Sequence, residues 1–97
     1  MGKLNWDEIH QISNSGEMLS TKTGAPFQII SVSVNTLIVK VSTGEEYPIL
    51  RKTLENAVAK IGAGLILNGP KDYRENVADE RPAYAWAILK HLGLLKE

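Results

Sequence analysis

The chain has 97 residues, a length that sets one small domain, 1–97, with room for a single modest core. Its composition, 43% apolar and 23% charged, is that of an ordinary folded protein and excludes a disordered or fibrous one. Eleven basic and eleven acidic side chains give a formal net charge of zero, which removes the strong electrostatic footprint of a dedicated phosphate binder.

The first predicted element is a helix. Asn5 is placed to cap the free amides, Glu8 lies three residues on as the return half of a capping box, and Leu4 can staple onto Ile9. Trp6, Ile9 and Ile12 form a narrow apolar stripe, and Ser13-Asn14-Ser15-Gly16 ends the run with poor helix formers and a glycine C-cap. From Met18 the period becomes that of a sheet. Met18 to Lys22 suits a short strand, Thr23-Gly24-Ala25-Pro26 is turn chemistry, and Phe27 to Val34 is rich in β-branched residues. Asn35 marks a tight turn into the strand Leu37 to Ser42, and Thr43-Gly44-Glu45 turns the chain into Glu46 to Ile49. Leu37, Val39 and Val41 share one face of their strand and Ile38, Lys40 and Ser42 the other, so one face is core and the other mostly wet.

After Pro48 the helical period returns. Thr53 is the expected N-cap, Leu54, Ala57, Val58 and Ile61 form the apolar stripe, and Gly62 and Gly64 stop the helix. Leu65-Ile66-Leu67 is an apolar run that either plugs the core or adds a short strand. Lys71 to Val77 reads as a polar two-turn helix and Pro82 to Leu92 as the last one, ended by Gly93. The expected fold is therefore α+β: an N-terminal helix, a small antiparallel meander of three or four strands, then three helices packed on one face of the sheet.

The run from Lys71 to Leu92, with its break at Ala78-Asp79-Glu80-Arg81 and its second helix opened by Pro82, resembles helix-turn-helix and winged-helix DNA-binding modules. The resemblance covers Thr53 to Leu92 as three helices, with the hairpin Phe27 to Ser42 as a wing. That wing precedes the trihelical unit, whereas the usual layout has it after the recognition helix. The resemblance implies a recognition helix at Pro82 to Leu92, with Arg81, Ala83, Tyr84 and Lys90 at its front edge and Lys71 and Arg74 positioned for phosphates. Asp72, Glu75, Asp79 and Glu80 would oppose a phosphate backbone.

Trp86 admits two readings. At about 100° per residue Ala85, Ile88, Leu89 and Leu92 form one stripe, while Ala83, Trp86, Ala87 and Lys90 share the opposite face. Either the helix is sandwiched between the sheet and the first helix and Trp86 is core, the favoured reading, or Trp86 and Lys90 with Arg81 and Tyr84 form a contact surface. A further surface, the stretch Lys22-Thr23-Gly24-Ala25-Pro26-Phe27 feeding the meander with Arg51-Lys52 at its exit and Lys40, Arg51 and Lys52 along one side, suits a single strand or a peptide; the commoner alternative is that Arg51 and Lys52 are solvated residues ahead of a helix.

Nothing in the sequence calls for catalysis, and the chain is expected not to be an enzyme. There is no cysteine, hence no disulfide, thiolate zinc site or thiol nucleophile. His10 and His91 lack a carboxylate at ligand spacing, and the pairs Asp7-Glu8, Glu45-Glu46 and Asp79-Glu80 suit helix starts and a turn. Gly62-Ala63-Gly64 follows a helix and is a stop signal, not a nucleotide loop. No metal and no small-molecule cofactor is expected. The N-terminal residues turn acidic at once, and no apolar run approaches membrane-spanning length, so a cytoplasmic protein with no membrane partner is expected. Two functions remain: DNA binding through the helix 82–92, or a protein-interaction or accessory domain, with a homodimer as one form of it.

Overall fold

A computed structural model describes residues 3–95. Helix α1 (Trp6–Ser15) leads into four strands, β1 (Met18–Ser20), β2 (Pro26–Val32), β3 (Thr36–Val41) and β4 (Glu46–Leu50). Helices α2 (Arg51–Gly62), α3 (Pro70–Asn76) and α4 (Pro82–His91) follow. The strands form an antiparallel meander in sequence order, β1-β2-β3-β4. The expected α+β architecture is thus the observed one, with all four strands present.

Local chemistry explains the start of the chain. The Asn5 carboxamide accepts from the amides of Asp7 and Glu8, and Gly16 closes α1 at φ 69°, a left-handed conformation that a glycine adopts without a Cβ clash. The short strand β1 pairs only Met18, Leu19 and Ser20 with Gln28, Phe27 and Pro26. Beyond that, α1 itself runs beside β2. Its C-terminal Gly16 carbonyl accepts from the Gln28 carboxamide, and at its other end the Trp6 indole donates to the Ser33 carbonyl. Ten helical residues rise ~15 Å, about the length of the five strand residues they flank. A bulge at Ile30 shifts the β2–β3 register between Ile29 and Ser31, bringing Val32 opposite Leu37.

One face of the sheet carries the core. Leu19, Phe27, Ile29, Leu37, Val39 and Ile49 are buried against Ile9, Leu54 and Ile88, whereas Met18, Ser20, Lys40 and Pro48 on the other face are exposed. The helices therefore lie on the Leu37–Val39 side, as the alternation in β3 predicts. The run 65–67 forms no strand; Leu67 is buried and plugs the core while Ile66 is exposed. The expected cap of α2 is corrected. The helix begins at Arg51, upstream of Thr53, with Leu50 at the cap position and no side-chain cap of its own.

Helix α4 is buried at five consecutive positions, Ala85 through Leu89, so it has no wet side over its middle turns. Trp86 is only 5% exposed and its indole N–H donates to the Leu67 carbonyl at 3.1 Å. It is core, as the favoured reading of the sequence had it. The expected wall of the sandwich is different, however: the Leu67 carbonyl, in the segment that joins α2 to α3, accepts the bond from the ring, whereas α1 packs chiefly along β2. The hairpin expected as a wing forms the two central strands of the sheet.

Candidate functional site

The two ends of the sheet are chemically unlike, and backbone alternation shows why. In an antiparallel strand, successive N–H and C=O pairs point to opposite sides. The Leu50 N–H donates to the Glu80 carboxylate at 3.2 Å, so it faces away from β3. Pro48, two residues earlier, faces the same way and has no N–H to offer. The Arg81 guanidinium sits 3.9 Å from the Tyr47 ring centre beside this edge. Of the three outward positions of β4, Pro48 and Leu50 thus offer no free amide, and Glu46, the first residue of the strand, keeps an N–H without a partner among the described residues.

At β1 the same rule leaves the edge open. The Thr21 N–H donates to the Ala25 carbonyl inside the β1–β2 hairpin, which turns Thr21 and Leu19 toward β2 and Met18 and Ser20 outward. Among the described residues neither outward amide has a partner. Beside them lies a cleft of about 440 Å³, lined by the run Met18 to Lys22 on one side and by Trp86, Ala87, Lys90 and His91 of α4 on the other. A larger hollow of about 610 Å³, walled by Leu4, Val58 and Ala59, offers no extended backbone and no buried polar group. The smaller cleft is the better candidate because it joins a free strand edge to a helix wall.

No protein family, curated protein or solved structure matches this chain. The cleft is therefore read from its own geometry. Trp86 closes its inner end, and two ammonium groups converge on that ring: Lys90 Nζ lies 5.4 Å and Lys22 Nζ 5.8 Å from its centre. Lys22 also donates to the Asn68 carbonyl at 2.8 Å, over the bare Cα of Gly69, where an added Cβ would come within 2.9 Å of the ammonium. Neither lysine has an acidic partner among the described residues. At the other end His91 Nε2 meets Glu17 Oε2 at 2.8 Å. That contact lay outside the sequence reading, which looked for a carboxylate near His91 along its own helix.

The residues singled out from the sequence scatter over the surface. Lys71 and Arg74 are exposed on α3, and neither forms a hydrogen bond or ion pair among the described residues. Arg81 precedes α4 at φ 44°, a left-handed backbone that a bulky side chain rarely takes, and spends its charge on Tyr47. Tyr84 is half-buried, edge-on to Phe27 at 5.1 Å and stacked on Tyr47 at 6.4 Å. Of the helix candidates Trp86 and Lys90 come together in the cleft, joined by Lys22 from the second surface read in the sequence; Met18 and Ser20 were not among the sequence candidates. Their signal was the brevity of a strand rich in polar neighbours, which a single sequence does not distinguish from any other turn. Lys40 is exposed on the outer sheet face, and Arg51 is committed elsewhere, donating to Val34 O, pairing with Glu55 and lying 5.0 Å from the Trp6 ring centre.

Among the described residues Tyr73 alone has a buried side-chain polar atom without a partner. Its side chain is fully buried and its hydroxyl has no hydrogen-bond partner. Burial pushes its ionisation well above the usual tyrosine value, and the negative charge of Glu80 adds to the effect. Among the described residues no three His, Cys, Asp or Glu side chains cluster, and no helix is long and apolar enough to cross a membrane.

Proposed function

We propose that this chain is a protein-interaction domain that receives an extended segment of a partner along the free edge of β1, in the cleft against α4. The observation that carries the reading is the asymmetry of the sheet: Pro48 and Glu80 block β4 at two of its three outward positions, while both outward amides of β1, those of Met18 and Ser20, are left unpaired beside a preformed cleft. Unpaired edge amides are a liability in a folded protein unless something covers them. A strand docked there gains backbone hydrogen bonds for affinity and side-chain contacts with the helix wall for selectivity.

The DNA reading asks more of α4 than its surroundings give. A recognition helix needs a free face, and five successive buried residues leave this one only its ends, Arg81, Lys90 and His91. Zero net charge argues the same way. Selection of a displayed random nonapeptide library on the folded domain tests the proposal, with duplex and single-stranded oligonucleotides titrated at low and moderate salt alongside. Recovered peptides whose amide-shift changes map to Met18 through Lys22 and to Lys90 are the expected result. Oligonucleotide binding that falls steeply with salt, and that is lost on charge reversal at Arg74, Arg81 and Lys90, overturns it in favour of DNA.

A further inference from the structure

We infer that the occupant of the β1–α4 cleft is an extended protein segment bearing a carboxylate side chain, held as an added strand on β1 with its acid between Lys22 and Lys90. The inference rests on the docking reading above and adds the chemistry of the partner. Two cationic groups lie within 6 Å of one buried indole, no acid is among the described residues that line the cleft, and the neighbouring Glu17 is engaged by His91. Lys22 is bonded only to a carbonyl, which leaves its charge uncompensated, and Lys90 has no hydrogen bond at all among the described residues. A cleft lined by unneutralised charges of one sign attracts the opposite sign, and partial cover by the Trp86 wall strengthens that attraction over its value in open water. The whole chain is neutral, so this local excess is a property of the cleft rather than of the surface at large.

Backbone geometry sets the length of the segment. Met18 and Ser20 each turn one N–H and one C=O outward, about 7 Å apart along the strand. A docked strand meets all four groups with three residues, and the track from Met18 to Lys22 accommodates about five. Ala87 on the helix wall leaves space for one side chain between the strands and α4, next to the ring of Trp86. The acid follows at the Lys22 end.

A second copy of the chain fits this site poorly. Two-fold antiparallel pairing of β1 with β1 sends the two Lys22 side chains to opposite ends of the seam, each toward Glu17 of the other copy, a carboxylate already held by His91, so neither Lys22 nor Lys90 gains a free acid. Charge therefore favours a foreign strand that brings its own acid over self-association.

The experiment uses the nonapeptide selection with the full chain, followed by affinity measurement of the recovered sequences on three variants. Lys22→Glu and Lys90→Glu change exposed side chains, and Ser20→Pro removes one outward amide; thermal melts establish that each is folded. As a check independent of Ser20→Pro, the same peptides are made with alternate backbone nitrogens methylated. The expected result is enrichment of Asp or Glu at one position, at least tenfold weaker binding to each lysine variant, and a comparable loss on backbone methylation. Peptides that need the β1 backbone but bind the lysine variants as tightly as the parent overturn the acidic inference and leave the docking reading standing. Failure to recover any peptide that depends on β1 overturns both, and the two lysines are then charges that merely keep the edge from pairing. A stable dimer, dispersed by Ser20→Pro and insensitive to the lysine variants, overturns the inference in favour of a second copy.

Discussion

Strands β4 and β1 face the same problem, a row of backbone groups with no neighbour, and handle it differently. At β4 the proline removes one donor, Glu80 accepts from another, and Arg81 lies over the Tyr47 ring. At β1 the donors of Met18 and Ser20 stay bare among the described residues, beside a cleft that carries Lys22 and Lys90. The difference teaches where a small domain places its contact surface. Most of an edge is cheap to block, as β4 demonstrates with one proline and one carboxylate, so a fully open edge beside a preformed cleft is the part of the sheet to test for a partner.

The comparison breaks most visibly at Trp86, which supports the open edge from within. Trp86→Ala should cost ~3–5 kcal/mol, read as a fall in the urea midpoint, because it empties a buried site and strands the Leu67 carbonyl. A cost below ~1 kcal/mol would mean the indole is a surface group after all. At the closed edge the matching change is Glu80→Ala. It removes the acceptor for the Leu50 N–H, with an expected cost of ~1 kcal/mol and faster hydrogen exchange at Leu50, while exchange at Met18 and Ser20 stays as fast as before. Slow exchange at Met18 or Ser20 in the unmodified protein would contradict the picture of an open edge.

Tyr73 sharpens the comparison from beneath Glu80. Its hydroxyl is buried without a partner, so Tyr73→Phe should stabilise the fold by up to ~1 kcal/mol. The pH dependence has a definite sign. Folded Tyr73 holds its proton above the usual tyrosine value, so its contribution is whole below about pH 10 and declines as the unfolded chain ionises above that. Urea midpoints measured from pH 8 to 11 should fall more steeply for the parent than for Tyr73→Phe. Equal slopes would place the hydroxyl in contact with water. The smallest effect is that of Lys22→Glu on stability, within ~0.5 kcal/mol of the parent, since the side chain is exposed and its hydrogen bond lies at the surface; its consequence is for binding.

Much of the fold was legible because it depends on neighbours in the chain. Asn5 and Gly16 announce the ends of α1 through capping chemistry that needs no tertiary contact. Alternation in β3 placed Leu37 and Val39 inside and Lys40 outside for the same reason. The start of α2 was misjudged at Thr53 because the residue that serves Leu50 is Glu80, thirty positions away and invisible to a local reading. The face of α4 was ambiguous in the same way: apolar residues lay all round it, and only the position of Leu67 decided that the second face is covered.

Of the candidate site, Trp86 and Lys90 could be named from the sequence, since a tryptophan and a lysine four apart share one side of a helix. Lys22 stood in the separate surface read at the start of the meander, and nothing local joined it to Trp86; Met18 and Ser20 could not be named, because an edge strand differs from a paired one only in what lies beside it. The sequence by itself determined the element order, the inward face of the sheet and the absence of thiol chemistry, all consequences of local periodicity and composition. Only the tertiary structure decided which edge is closed, which lysines converge on which ring, and which amides are left to a partner, because each of these depends on groups brought together from distant parts of the chain.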